Sequence, residues 1–187
     1  LLVTGANGFI GNALLLRLLL DTQYRIKAAQ RCDVLNMPRG VMLVRVGDLC
    51  LETDWKLAVS GMDTVVHAAA RVHAMNNMTG DSLAEFRKTN VEGTLNLARQ
   101  AATAGVHRFI FLSSIKVNGE ETLPGQPYTP DDVPAPVDPY GISKYEAENG
   151  LRQLAVETGM EVVIIRPPLV YGPGVKANFL SMMRWLS

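Results

Sequence analysis

The chain has 187 residues, enough for one domain with a substantial hydrophobic core. Hydrophobic residues make up 48% and charged residues 19%, which excludes a disordered chain, and 18 basic residues balance 18 acidic ones. The zero net charge argues against a nucleic-acid partner, and no apolar window is long enough to span a membrane. Cys32 and Cys50 lack metal-ligand or redox-motif spacing, so we expect reduced thiols, no metal site and a cytoplasmic location.

The chain opens on a strand, a glycine-rich turn and a helix. An apolar run ends at Thr4, and an apolar helical pattern begins at once with Ile10. Between them Gly5 permits a tight turn, Gly8 lets a diphosphate approach the backbone, and Gly11 lets the helix pack on the strand. The interval is one residue longer than the usual dinucleotide fingerprint. It predicts a dinucleotide site, and the alternative is a turn that serves tight packing alone.

The rest of the chain alternates strands with helices. We predict strands over 24–30, 41–46, 63–67, 108–112 and 161–165, and helices over 51–60, 82–104, 139–158 and 178–187. Asp138 is the expected N-cap of the third of these helices, with Pro139 at its first position and Gly159 at its end. This order predicts an α/β fold: one Rossmann-type domain over 1–187, with a doubly wound parallel sheet and right-handed crossovers.

Two positions at strand ends bear on the adenosine half of a dinucleotide. The second strand ends in Gln30 and Arg31, where NAD-binding folds place an acid, so we slightly favour NADP over NAD, with Arg31 on the 2′-phosphate. The alternative is that Arg31 is a solvated loop charge. Asp48, which follows the third strand, either receives the adenine amino group or caps the next helix.

Three further features flank the centre of the predicted sheet. Small residues at 68–70 let a flat cofactor lie against the backbone after the fourth strand. His67 is expected to be a hydrogen-bonded core residue rather than a catalyst. Asn90 is unfavourable in the middle of a helix, so we expect its side chain to bond a neighbouring loop that shapes the site.

Tyr140 and Lys144 lie one helical turn apart, which places phenol and ammonium on one face about 6 Å apart along the axis. The lysine, with the positive ring of an oxidised nicotinamide, would lower the pKa of the phenol. Its phenolate could then take a proton from a sugar hydroxyl while hydride leaves the same carbon. Ser114, after the fifth strand, would orient that oxygen. A long connection rich in prolines separates Ser114 from the helix and is typical of a functional loop.

The sequence resembles the extended short-chain dehydrogenase/reductase family, in particular its nucleotide-sugar epimerases, dehydratases and 4-ketoreductases. The matching pieces are residues 4–11, 47–49, 67–70, 89–94, 113–114, 140–144 and 166–174. The resemblance implies a catalytic triad of Ser114, Tyr140 and Lys144. It implies substrate contacts from Ser114, Tyr140 and Asn178, and cofactor contacts from Gly5, Asn7, Gly8, Phe9, Ile10, Gly11, Asp48, Leu49, Ala68, Ala69, Ala70, Asn90, Tyr140, Lys144 and Pro167.

The function implied by the resemblance is epimerisation of a nucleotide-diphosphate sugar, most simply a UDP-sugar, through a 4-keto species in surface-polysaccharide synthesis. A 4-ketoreductase and a steroid-type alcohol dehydrogenase are alternatives on the same scaffold, and a non-catalytic NADP-binding regulator is the alternative from another class. Dehydration ranks third, because Ile115 and Lys116 stand where dehydratases carry an acidic pair. Family members also imply a homodimer through a four-helix bundle and a C-terminal substrate domain that these residues do not include.

Overall fold

Six parallel strands form one sheet in the order β3-β2-β1-β4-β5-β6 in the computed structural model, which describes residues 1–21, 23–31, 38–72, 82–175 and 185. The strands are β1 (Leu2–Thr4), β2 (Ile26–Gln30), β3 (Val41–Arg45), β4 (Thr64–His67), β5 (Arg108–Leu112) and β6 (Glu161–Ile165). The doubly wound parallel sheet is confirmed. Strand order reverses between β1 and β4, and a ligand crevice is expected there, outside the carboxyl ends of the strands. Cys32, Asn178 and, except for residue 185, the helix predicted over 178–187 lie outside the described residues.

Both faces of the sheet are covered at its central strands. On the central strand, Leu2 and Val3 are fully buried although they point to opposite faces. Leu2 belongs to the larger core, which includes the aromatic rings of Phe109 and Phe111. Val3 belongs to the smaller core, where Leu15 of the first helix packs. The two cores hold the sheet rigid and leave its carboxyl edge to present functional groups.

The helices on the two faces are α1 (Phe9–Leu18), α2 (Lys56–Val59), α3 (Ser82–Phe86), α4 (Thr94–Thr103) and α5 (Pro139–Thr158). The predicted start and end of α5 are confirmed. The Asp138 carboxylate accepts a hydrogen bond of 2.5 Å from the N–H of Gly141, and Pro139 occupies the first turn. Gly159 ends the helix at φ 74°, a left-handed conformation that suits glycine.

The helix predicted over 51–60 is wrong in extent, because only Lys56–Val59 is helical. Side chains from α4 hold the preceding loop in an irregular path. Asn96 donates to the carbonyls of Cys50 and Thr53 at 3.1 and 2.8 Å, and Gln100 accepts from the N–H of Trp55 at 2.8 Å. Since the helix starts this late, Asp48 is not its N-cap, and that alternative is excluded.

The single helix predicted over 82–104 is interrupted by a π-helical segment, Arg87–Gly93, between α3 and α4. A π segment admits one extra residue per turn and recurs at functional sites. Here it turns Asn90 and Gly93 inward, where both are buried. Sequence periodicity alone does not distinguish such a segment from a regular helix.

Among the described residues, no helix combines the length and apolar character that crossing a membrane requires. Within the same residues, no group of three or more His, Cys, Asp or Glu side chains is placed to hold a metal ion.

Candidate active site and cofactor-binding edge

The glycine turn has the geometry that its sequence predicts. Gly5 has φ 67°, and a Cβ there would lie 2.6 Å from the backbone of Ala68 and Ala69. A Cβ on Gly11 would collide with the Gly5 carbonyl, which already accepts a 2.9 Å hydrogen bond from the N–H of Gly8. Gly8 is the N-cap of α1, so no side chain at that position accepts from the first N–H groups of the helix. The exposed turn therefore offers backbone donors and a positive helix end to an anion.

The residues after β4 form the other wall of this crevice. The Thr4 hydroxyl accepts a 3.2 Å hydrogen bond from the N–H of Ala69, which ties the segment 68–70 to β1. Close packing of Gly5 against Ala68 and Ala69 leaves a flat backbone surface without large side chains. This surface is consistent with the flat-ligand wall predicted for residues 68–70.

His67 is a satisfied core residue, as predicted. Its side chain is fully buried, and both ring nitrogens are hydrogen-bonded, Nδ1 to the Thr4 hydroxyl at 2.7 Å and Nε2 to the Thr94 hydroxyl at 2.9 Å. Burial, with a smaller effect from the Lys144 charge, lowers the pKa of His67 to about 3. The ring stays neutral at physiological pH and links β1, β4 and α4.

At the far end of the crevice, Arg31 and Asp48 project into solvent. Their side chains are 77% and 82% exposed, and the guanidinium lies 3.6 Å from the carboxylate. Such an exposed pair contributes little to stability, so both groups remain available to a ligand. Leu49 lies against the π segment, where a Cβ on Gly93 would approach the Leu49 carbonyl carbon to 2.8 Å. Gly93 therefore lets the loop that carries Asp48 and Leu49 sit close to the π segment.

Asn90 performs the bridging role that its position in a helix suggested. Its Oδ1 accepts from the N–H of Arg71 at 2.8 Å, and its Nδ2 donates to the Arg71 carbonyl and to the Ser143 hydroxyl, both at 3.0 Å. The Ser143 hydroxyl in turn donates to the Tyr140 carbonyl at 2.7 Å. The π segment thus joins the loop after β4 to the turn of α5 that separates Tyr140 from Lys144.

Ser114 begins a short 3₁₀ turn, Ile115–Val117, directly after β5. It adopts an extended conformation, and its hydroxyl accepts a 3.3 Å hydrogen bond from the N–H of Lys116. The next N–H, that of Ile115, donates to the Pro167 carbonyl at 3.1 Å. Pro167 therefore holds the serine turn through its backbone. The Lys116 ammonium forms an ion pair with the Asp138 carboxylate at the start of α5. The sequence analysis did not predict this ion pair.

Tyr140 and Ser114 are neighbours at this edge. The Tyr140 ring packs edge-on against Phe86, with centroids 6.1 Å apart. Burial and the Asp138 carboxylate raise the pKa of Tyr140, while the Ser114 hydroxyl and the Lys116 charge act in the opposite direction. The lowering expected from Lys144 together with an oxidised nicotinamide is absent from the protein chain by itself, and it stays a prediction for the chain with cofactor bound. Burial outweighs the nearby positive charge, and the cation that acts on the phenol is Lys116.

Lys144 is 1% exposed, and its Nζ lies 4.0 Å from the centroid of the Phe111 ring. Burial lowers the pKa of Lys144 to about 7, and the Glu148 carboxylate opposes this change. The ammonium therefore lies at the boundary between charged and neutral forms near physiological pH. The aromatic face gives a weak electrostatic attraction to its charged form.

The buried lysine predicts a pH-dependent stability. In an unfolded chain Lys144 titrates near 10.5 and in the fold at about 7, so the unfolded state binds more protons between these values. Stability should therefore rise with pH across this window, by up to about 1.4 kcal/mol per pH unit. We expect Lys144→Met to remove this contribution to the slope. Urea unfolding of both proteins from pH 7 to 10 measures it, and parallel stability curves would contradict the buried titration.

The sequence did not single out the charged cluster behind the candidate residues Ser114, Tyr140 and Lys144. Glu148 is fully buried one turn beyond Lys144 and accepts two hydrogen bonds from Arg166, from Nε at 2.9 Å and from Nη2 at 2.6 Å. The Ser113 hydroxyl also donates to this carboxylate at 2.5 Å. A Glu on a helix is ordinarily expected to be a solvated charge. Only the position of Glu148 four residues after Lys144, on the same helix face, could have indicated burial.

The fold and the carboxyl edge of the sheet together define a dinucleotide-binding α/β domain of the dehydrogenase type. The defining features are a doubly wound sheet, a glycine turn at a helix N-terminus, and a serine, a tyrosine and a lysine at the same carboxyl edge. A protein-family model described as the NAD dependent epimerase/dehydratase family matches residues 1–185. The chain belongs to this family, and the resemblance drawn from its motifs is confirmed.

Individual relatives agree with this assignment. The chain is 51% identical over its whole length to UDP-glucose 4-epimerase of Vibrio cholerae, covering 56% of that protein. It is 34% identical to 3-beta-hydroxysteroid dehydrogenase of Mycolicibacterium neoaurum, covering 95% of this chain and 49% of that one. The chain therefore spans about half the length of the curated relatives it matches.

A solved structure extends the comparison to bound ligands. The NAD complex of UDP-glucuronic acid 4-epimerase from Bacillus cereus superposes with a TM-score of 0.82 at 25% identity, covering 99% of this chain and 62% of that one. The same enzyme with UDP-glucuronic acid and NAD gives a TM-score of 0.81 at 26% identity, over 95% and 59% of the two chains.

Proposed function

We propose that the full-length protein is an NAD-dependent 4-epimerase of a UDP-sugar that works through a 4-keto species. The observation that carries the proposal is the adjacency of Ser114 and Tyr140 at the edge that holds the glycine turn, with buried Lys144 one turn along the same helix. The 51% identical relative named as a UDP-glucose 4-epimerase supports the substrate class. Because relatives are about twice as long, we also propose that residues 1–187 are the dinucleotide-binding domain of a longer enzyme.

The crevice fits a dinucleotide. A Cβ at Gly5 or Gly11 would strike backbone, and the first turn of α1 presents N–H groups at the turn between them. We assign the diphosphate to this turn, with Asn7, Phe9 and Ile10 beside it. We assign the adenosine to Arg31, Asp48 and Leu49, and the nicotinamide half to Ala68, Ala69, Ala70, Asn90, Lys144 and Pro167. When bound, NAD supplies an acceptor and donor of hydride and a positively charged ring.

The side chains of this protein supply the proton chemistry. The Tyr140 phenolate accepts the proton of the sugar 4-hydroxyl, and the phenol returns it to the 4-keto oxygen after the sugar turns its other face. The Ser114 hydroxyl donates a hydrogen bond to the same oxygen and fixes its position. The Lys116 charge favours phenolate, and the Lys144 ammonium would bind the nicotinamide ribose. Because the pKa of Tyr140 is raised in the chain alone, the positive ring of bound NAD would be needed to favour the phenolate that starts the reaction.

For the cofactor we infer NAD. It is the dinucleotide in the epimerase structures compared above, and the slight preference for NADP, based on Arg31, receives no support from them. Arg31 is exposed and only loosely paired with Asp48, an environment that suits stacking or solvation as well as a 2′-phosphate. Titration of the protein with both dinucleotides tests this choice. Tighter binding of NADP than of NAD would favour NADP as the cofactor.

A homodimer through a four-helix bundle and a cytoplasmic location complete the proposal. Helices α4 and α5 are the candidate dimer helices. An Arg87–Glu146 ion pair at 2.5 Å fixes the π segment that precedes α4 against α5. Residues such as Arg99, Gln153 and Val156 leave an exposed outer surface on the helix pair. Sedimentation of the full-length protein tests the assembly.

The decisive experiment follows UDP-glucose and UDP-galactose by NMR with the full-length protein and bound NAD. We expect interconversion at C4 with no net consumption of NAD. Net reduction of a 4-keto sugar by an exchanging cofactor would instead indicate a 4-ketoreductase, and cofactor binding without turnover of any substrate a regulator. Oxidation of a 3β-hydroxysteroid would instead favour a steroid-type alcohol dehydrogenase. This is the second candidate function, and the 34% identical steroid dehydrogenase supports it.

A further inference from the structure

The Glu148 carboxylate joins three elements at the back of the triad. It lies on α5, it accepts from Ser113 at the end of β5 at 2.5 Å, and it accepts from Arg166 after β6 at 2.6 and 2.9 Å. Arg152 on α5 adds a longer contact of 3.5 Å to the same carboxylate. Glu148 is fully buried, and the Arg166 side chain is only 12% exposed. Solvent and salt therefore screen the Glu148–Arg166 ion pair little.

These contacts fix both ends of the turn that carries Ser114. At its start, Ser113 is held by Glu148 through its hydroxyl and by the Ile165 carbonyl through its N–H at 2.7 Å. At its end, the Asn118 side chain accepts from Arg166 at 3.1 Å. The Glu148–Arg166 pair thus sets the position of the serine turn relative to the helix that carries Tyr140 and Lys144.

Stability alone does not explain this pair. Replacing a buried ion pair with apolar side chains of similar volume is often neutral or stabilising, because desolvation offsets the attraction of the charges. The larger core beside this site already contains Phe111, Ala147 and Leu151, all fully buried. A charged pair at this place therefore suggests a role in the geometry and charge of the site.

The same carboxylate acts on Lys144. The titratable and charged groups around that ammonium are His67 from β4, Tyr140 and Glu148 from α5, and Arg166 and Arg152 beyond Glu148. His67 is neutral. Glu148 is the group that raises the pKa of Lys144 against burial. The anion therefore favours the charged lysine that the proposed function requires.

We propose that Glu148 is a positioning residue of the active site, holding the Ser114 turn through Ser113 and Arg166 and sustaining the charge of Lys144. The proposal rests on the proposed function for the roles of Ser114 and Lys144. Glu148 touches neither substrate nor cofactor in this arrangement. It acts through the residues that do.

The charge component is tested by NMR titration of lysine side chains in protein labelled with ¹³C and ¹⁵N. Glu148→Gln keeps the shape and hydrogen-bonding oxygen but removes the charge, so we expect the pKa of Lys144 to fall by about one unit. Glu161→Gln is the matched control, because Glu161 pairs with Arg108 at 2.7 Å on the surface at the start of β6. That control should leave Lys144 within about 0.2 units of the parent. An equal pKa in parent and Glu148→Gln would overturn the proposal.

The positional component is tested with Ser113→Ala, which removes the tether and leaves the charges in place. We expect kcat of the full-length protein to fall about tenfold with KM and the pKa of Lys144 unchanged, since one hydrogen bond to a charged group is lost. Parent-like kcat would overturn the positional role, and this variant decides the proposal if Glu148→Gln does not fold. The titration requires no turnover, so it stays informative even if the protein proves not to be an epimerase.

Discussion

In the full-length protein, replacing Tyr140 with Phe is expected to lower kcat for the proposed UDP-sugar epimerisation by about 10³-fold, since general acid–base catalysis of this kind contributes 10²–10⁴-fold. The substitution removes one oxygen and keeps the ring that packs edge-on against Phe86. The affinity for NAD should therefore stay within about twofold of the parent. Steady-state turnover and a fluorescence titration with NAD measure the two quantities separately.

Tyr24→Phe provides the matched control for this substitution. Tyr24 is 46% exposed in the segment before β2 and belongs to no part of the proposed site, so turnover should be unchanged.

The pH profile gives a second readout. Deprotonation of the phenol should produce a rising limb in kcat, absent from the residual activity of Tyr140→Phe. Undiminished turnover in that variant would exclude Tyr140 as the acid and base.

Replacing Gly5 with Ala is expected to abolish measurable NAD binding and to lower the free energy of unfolding by about 3–5 kcal/mol. Two effects add. The residue has φ 67°, which costs any side chain conformational energy, and its Cβ would lie 2.6 Å from the backbone of Ala68 and Ala69. Neither peptide can move without disturbing β1 or β4. Urea unfolding and NAD titration measure the two losses.

Gly61→Ala separates strain from collision. Gly61 has φ 68°, almost the value of Gly5, but nothing lies within 4 Å of the position of its Cβ. We expect a loss of only about 1–2 kcal/mol, due to the left-handed backbone alone, and unchanged NAD affinity. If both alanine variants lost the same stability, close packing of the glycine turn on the loop after β4 would not be its structural purpose.

Local sequence rules predicted much of the fold and of the candidate site. The caps of α5 at Asp138 and Gly159 follow from backbone chemistry that acts over a few residues. Strand positions follow from apolar runs, and the observed strands begin or end within one or two residues of the predicted ones. The candidate residues Ser114, Tyr140 and Lys144 meet at one edge because parallel strands end on the same side.

What the sequence did not predict depends on distant contacts. The short α2 reflects Asn96 and Gln100, which reach the preceding loop from about 45 residues away along the chain. The burial of Glu148 depends on Ser113 and Arg166, which approach only when β5 and β6 pair. The direction of the pKa change at Tyr140 depends on how deeply its phenol is buried, and a spacing of residues does not contain that quantity.

The π segment Arg87–Gly93 restricts where residues can be inserted into or deleted from this chain. A regular α-helix advances about 100° per residue, so deleting one residue here would rotate all of α4 relative to α3 by that angle. Leu97, Ala98 and Ala101, now fully buried, would swing toward solvent, and Thr94 would leave His67. Insertions and deletions should therefore be far less tolerated in this segment than amino-acid replacements, and chain-length variation among homologues should fall in the surface loops instead.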